Sequence, residues 1–339
     1  TNEAFDDAIK KQVDDNASTR SYATVPGVRL NKLIVPYKEY IKDFAKDDAR
    51  LMTTEKEELQ KCKDKTKKFM DESSSVVNYL VKEFEMKKNA QLHARSTISK
   101  TGIIDPLKLH SYKYAEDIFK KMSSIPNQKN HGMMFLLDWS GSMQRNLMPT
   151  TEQLLNLVMF CRKINIPFSV YKFLNNSSAG YSYSERMANK MKSHPDSPFI
   201  TDSKTLQPDQ TTRLVQLFTH KQSKSDFKRC AENLHRSAMY FSDYGYRGRY
   251  GDPDHIDVPR ITHKYYLSST PLNEAFIAMD PMIAKFRKDY KTDKVALVTL
   301  TDGSANSISS ADGGQLMIKL NNRYKKCDYS YRGDGKDLT

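Results

Sequence analysis

The sequence predicts an α/β fold: a doubly wound, mainly parallel sheet preceded by a helical N-terminal region. Two observations carry that expectation. Three short apolar runs, residues 133–137, 167–173 and 294–301, have the length and continuity of strands buried on both faces. Between the first two lies 149–164, where Leu154, Leu155, Val158, Met159 and Cys161 fall at helical spacing and Thr150 or Thr151 can cap. Strand, helix, strand at this separation is a βαβ unit. It makes the sheet parallel, the crossover right-handed, and the carboxyl ends of the strands the place for ligand loops.

Residues 1–35 show no sustained period and contain Pro26-Gly27, so they are expected as an extended arm. A helix with a sparse apolar stripe (Tyr40, Ile41, Phe44, Leu51, Met52, Leu59, Phe69) is expected over 38–70, a break at Asp71-Glu72-Ser73-Ser74-Ser75, and a second helix over 76–94. Residues 102–106 read as a turn and 107–122 as a short helical stretch. Between 175 and 262 the alternation is lost, with helical pieces expected at 212–218 and 227–239. Thr270-Pro271 opens a helix running to Tyr290, bent at Pro281.

A chain of 339 residues exceeds the usual single domain. The division expected is a helical region with its arm over 1–130, then an α/β domain over 131–339 with an insertion at about 176–262. Only 37 residues, 303–339, follow Asp302, so this domain is expected to be incomplete at the C-terminus, and Thr1 in place of Met leaves the true N-terminus open. With 38% hydrophobic and 28% charged residues the composition is that of a soluble globular protein. No window approaches a membrane span and no signal peptide opens the chain. Cys62, Cys161, Cys230 and Cys327 are far apart without CxxC pairing, which argues against zinc and a disulfide framework and for a reducing compartment, the cytoplasm. The net charge of +13 admits nucleic acid, an anionic surface or an acidic partner. Its densest cluster, KCKDKTKK at 61–68, reads as a solvated helix face.

The chemistry concentrates at HGMMFLLDWSGSM, residues 131–143. The apolar run ends at Asp138, and the loop after it places Ser140 and Ser142 at alternate positions around Gly141, whose freedom allows a tight turn. One carboxylate and two hydroxyls make a hard, oxygen-only set of the kind magnesium prefers. Read singly, DxSxS is as readily a turn or helix cap. Two later loops carry matching residues: Thr270 in SSTPLNEAF, by itself an ordinary N-cap, and Asp302 in KVALVTLTDGS, by itself a turn residue.

DWSGS, the TPLNEA threonine and the LTDG aspartate together resemble the metal-ion-dependent adhesion site of von Willebrand factor type A domains. Asp302 follows Thr270 by 32 residues, a separation that also fits that family. The run from Val76 to Lys129, a basic helix and then TGIIDPLKLHSYKYAEDIFKK, resembles the approach to the first strand in CobT-type cobaltochelatase subunits and their bacteriophage relatives. The resemblance implies a cation, Mg²⁺ (or Mn²⁺ or Ca²⁺), held by Asp138, Ser140, Ser142, Thr270 and Asp302. It also implies docking to a hexameric AAA+ ATPase of the MoxR/CobS kind, in host cytoplasm or virion for a phage protein. The acidic segment of CobT proteins is missing here, which separates the docking role from the chelatase role.

Two carboxylates plus three hydroxyls leave at least one of about six octahedral positions for a partner's carboxylate. The alternatives are a cobaltochelatase or peptidase component with this metal in its active site, and a basic virion-structural or nucleic-acid-binding protein. Tyrosines interleaved with Arg247 and Arg249 over 240–266 can stack on bases, form an interface, or simply pack. His255 with Asp252, Asp254 and Asp257 forms a weaker metal candidate in a proline-containing loop. No GxxxxGK[ST], HExxH or GxSxG is present, so ATP hydrolysis, zinc peptidase and serine hydrolase chemistry have no motif, and no catalytic residue is assigned.

Overall fold

The computed structural model describes residues 21–95, 97–104, 106, 108, 113–114, 119–124, 131–175, 197–202, 205–244, 256–303, 305–310, 316–320 and 323–326. Its centre is a five-stranded sheet of β1 (Ile34–Val35), β2 (His131–Asp138), β3 (Phe168–Asn175), β4 (Thr212–Thr219) and β5 (Lys294–Leu300), in the order β5-β2-β3-β4-β1. The strands β5, β2 and β3 run parallel; β4 is antiparallel to β3, and β1 parallel to β4. The fold is thus mixed α/β around a mostly parallel sheet.

Five helices matter here: α1 (Tyr37–Asp48), α2 (Thr53–Arg95), α3 (Leu147–Lys163), α4 (Lys224–Tyr244) and α5 (Leu272–Tyr290). They cover both faces, because alternate residues of each strand point to opposite sides. On β2, Phe135 and Leu137 join one buried cluster with Tyr40 and Phe44 of α1, Leu154 and Val158 of α3, and Leu234 of α4. Met134 and Leu136 join the other, with Leu272, Met279 and Phe286 of α5. Burial on both sides is what the unbroken apolar run requires.

Several expectations are corrected. Residues 21–35 are not an extended arm, since Ile34–Val35 is the edge strand of the central sheet and Leu33 is fully buried; residues 1–20 lie outside the described residues. The first helix ends at Asp48, and α2 then continues for 43 residues straight through 71–75. The serines do not break it: Ser75 Oγ donates to the Glu72 carbonyl at 2.9 Å and Ser73 is buried, so tertiary packing overrides weak helix propensity. Residues 102–104, expected in a turn, and 119–122, expected as helix, instead belong to antiparallel strands, Thr97–Ile104 with Phe119–Ser124, while most of 107–118 lies outside the described residues. Residues 212–218 are strand β4, not helix; the spacing of Leu214, Val215, Leu217 and Phe218 suits either period, and pairing along β3 decides. No helix among the described residues is long and apolar enough to cross a membrane.

The arrangement places one crevice. From β2 the chain crosses through α3 to β3 on one side, while β5 pairs on β2's other side. The carboxyl ends of β2 and β5 therefore flank the point where the strand order reverses, which is where open α/β sheets bind ligands.

Candidate metal centre

Register brings the first and third loops together. Leu137 pairs with Leu300, so Asp138 and the Thr301-Asp302 pair leave the sheet side by side. Asp138 is fully buried. Its Oδ1 accepts the Ser140 backbone N–H at 3.0 Å and its Oδ2 accepts the Thr301 hydroxyl at 2.7 Å. The Ser140 and Ser142 hydroxyls lie 3.0 Å apart. Gly303, at φ +91°, turns the third loop back, with its N–H donating to Thr301 Oγ at 3.1 Å.

The second loop is stitched to both others by its backbone. Gly141 N–H donates to the Ser268 carbonyl at 2.9 Å, and Ser268 N–H to the Trp139 carbonyl at 3.3 Å. Asn306 N–H donates to the Thr270 carbonyl at 3.0 Å, while Asn273 Nδ2 donates to the Asn306 carbonyl at 2.7 Å. A closed ring results: first loop to second through Gly141 and Ser268, second to third through Thr270 and Asn306, third to first through Thr301 and Asp138. Thr270 enters this ring through its carbonyl and is itself nearly buried. Gly141 sits at φ −63°, ψ −31°, a conformation open to any residue, so the tight turn does not use glycine's freedom.

The electrostatics favour an added positive charge. Burial raises the Asp138 carboxyl above its usual range, and the nearby Asp302 charge adds to that, against the opposing hydrogen bonds from Thr301 and Ser140. Asp138 and Ser140 form the buried floor, and Ser142 and Asp302 the exposed rim. Among the described residues no three His, Cys, Asp or Glu come together. The donors at this crevice are two carboxylates and hydroxyls.

Three supports had no sequence signal of their own. Thr301 ends an apolar strand and reads as part of it, yet its hydroxyl fixes Asp138. Behind the second loop, Asn175 donates its backbone N–H to Ser268 Oγ at 2.8 Å and its side-chain amide to Ser269 Oγ at 2.7 Å and Asp209 Oδ2 at 2.9 Å. Trp139, inside the DWSGS loop, is fully buried and donates its indole N–H to the Tyr265 carbonyl at 2.8 Å. Over its ring, 4.0 Å from the centroid, sits Nζ of Lys172, which Tyr40 and Tyr265 also face at 5.0 and 5.2 Å.

Of the tyrosine-rich stretch, Phe241 and Tyr265 are buried and Tyr240 and Tyr266 half-buried, all four packed in the aromatic cluster beside Trp139. Arg247, Arg249 and the Asp252, Asp254, His255 group lie outside the described residues. No protein-family model matches the chain, nor does any curated protein or solved structure.

Proposed function

We propose that the crevice is a divalent-cation site of the von Willebrand A adhesion type, and that the chain uses it to dock an acidic protein partner. Asp138, Ser140, Ser142, Thr270 and Asp302 are the residues assigned to the ion, Mg²⁺ with Mn²⁺ or Ca²⁺ as substitutes. The single observation supporting this is the hydrogen-bonded ring that draws three loops, distant in sequence, around a buried aspartate. The donor set fits a hard cation: every side-chain donor is oxygen, and the charges of Asp138 and Asp302 repel until something positive joins them.

When bound, the ion supplies a positive point with a coordination position for a ligand from outside. The chain's own residues set its place and access. Asp138 and Asp302 contribute charge, the serines geometry, and Thr301 holds the Asp138 carboxylate in one orientation. Ser140 and Ser142 pair with each other rather than with a base, which favours binding over nucleophilic attack. The natural incoming group is a partner's carboxylate. Resemblance to CobT-type proteins makes a MoxR/CobS-like AAA+ ATPase the partner proposed, with this chain as its docking subunit.

The test is capture of a purified MoxR/CobS-type hexamer on the immobilised chain. Capture in Mg²⁺, lost in EDTA and lost for Asp138→Ala in a variant that keeps a cooperative thermal melt, is expected. Capture indifferent to EDTA contradicts the docking role. Salt-sensitive DNA binding that survives Asp138→Ala supports the nucleic-acid alternative instead.

A further inference from the structure

Helix α2 packs one side against the molecule and, among the described residues, leaves another uncovered. On the packed side Val77 is buried, Phe84 meets Phe160 of α3 edge-to-face at 5.6 Å, and Lys163 Nζ reaches Asn78 Oδ1 at 2.6 Å. A second stripe, Val76, Tyr79, Leu80 and Met86, recurs at helical spacing but faces outward, with Tyr79 and Met86 each 62% exposed. Four exposed large apolar side chains gathered on one helical surface form a patch, unlike the singly scattered ones that need no explanation. The stripe is framed by charge of opposite sign at its two ends: Glu72 before it and Lys87 after it, both exposed. In its middle Glu83 is already satisfied within the helix, accepting from Tyr79 Oη at 2.8 Å and lying 3.9 Å from Lys87 Nζ.

We propose that this stripe is the contact through which two copies of the chain associate, with α2 pairing antiparallel to the same helix of the second copy. The charge pattern selects this occupant and direction. Glu72 and Lys87 lie equally far from the midpoint between Tyr79 and Leu80, so a two-fold axis there sets each Glu72 beside the other copy's Lys87. It also stacks the Tyr79-Leu80 pairs across the axis. A parallel pairing would oppose Glu72 to Glu72 and Lys87 to Lys87, which like-charge repulsion disfavours. The pairing is independent of the cation site.

Light scattering after size exclusion, on the full chain across a concentration series, reads this directly. A concentration-dependent dimer is expected. Leu80→Glu weakens it by about tenfold or more, with an unchanged thermal melt because Leu80 is exposed. Glu72→Lys also weakens it, and adding Lys87→Glu to that variant restores it. A monomer throughout overturns the proposal. So does a dimer indifferent to Leu80→Glu, or one that Lys87→Glu fails to restore.

Discussion

Asp138 is the residue on which the site turns, and Thr301 is the residue that aims it. The Thr301 hydroxyl donates to Asp138 Oδ2 at 2.7 Å while its oxygen accepts from Gly303 N–H, so one side chain couples the first and third loops. Outer partners of this kind typically govern affinity by about 10–100-fold. Thr301→Val is therefore expected to weaken Mg²⁺ or Mn²⁺ binding roughly tenfold, measured by calorimetry, while leaving the fold intact. Asp138, Ser140 and Ser142 were legible in the sequence because carboxylate and hydroxyls alternate just past an apolar run. Thr301 was not, since a β-branched residue at a strand end has an ordinary reason to be there. Lys172 was equally hidden: it interrupts an apolar strand, and only the fold shows Trp139, Tyr40 and Tyr265 gathered around its amine, whose pKa burial pushes well below the usual lysine range.

Among elements, the βα units were legible and the helix–helix contacts were not. At Gly132, α5 and its C-terminal turn come close against β2: a Cβ there would lie 2.5 Å from Phe286 Cε1 and 3.2 Å from Thr292 Cγ2. Phe286 is buried and cannot swing aside. Gly132→Ala is expected to cost about 1–3 kcal/mol by overpacking, seen as a lower urea midpoint at constant slope. On the opposite face α2 meets α4 through His235, whose Nδ1 lies 2.9 Å from Thr66 Oγ. Burial first, and Lys65 second, push this imidazole down to about 4. Glu152 Oε1, 3.7 Å from Nε2, acts in the other direction, but it is beyond hydrogen-bond reach and does not offset the burial. Between pH 6.5 and 4 the unfolded chain takes up a proton at this site that the folded chain refuses, so stability falls as pH falls, by up to roughly 3 kcal/mol. Asp138, whose pKa moves up, contributes with the opposite sign. The comparison that isolates His235 is thus the difference in acid slope between the unmodified chain and His235→Asn, followed by thermal melts; a flatter slope in the variant is expected.

At the scale of the whole molecule, helices from the N-terminal region and strands from beyond residue 130 share one core, with Val35, Tyr40 and Phe44 packed in the cluster of Phe135 and Val158. A division at 130 could be drawn from the sequence because the first buried strand run and the βαβ pattern begin just beyond it. The shared core could not, because the pairing of Ile34–Val35 with β4 spans 180 residues and leaves no local pattern. What composition and apolar runs did disclose was the parallel centre of the sheet, and with it the edge at which Asp138 and Asp302 emerge together. On the proposed function this edge holds a cation. Trp139, the sole tryptophan of the chain, stands between Asp138 and Ser140 and reports on that loop. The direct measurement is titration of the isolated chain with Mg²⁺ and Mn²⁺, read by calorimetry and by Trp139 emission together. Saturable binding of one ion, with a coincident change in emission and loss of both in Asp138→Ala, is the result predicted. No saturation by about 10 mM, beyond the weakest common carboxylate sites, or binding untouched by Asp138→Ala, contradicts it.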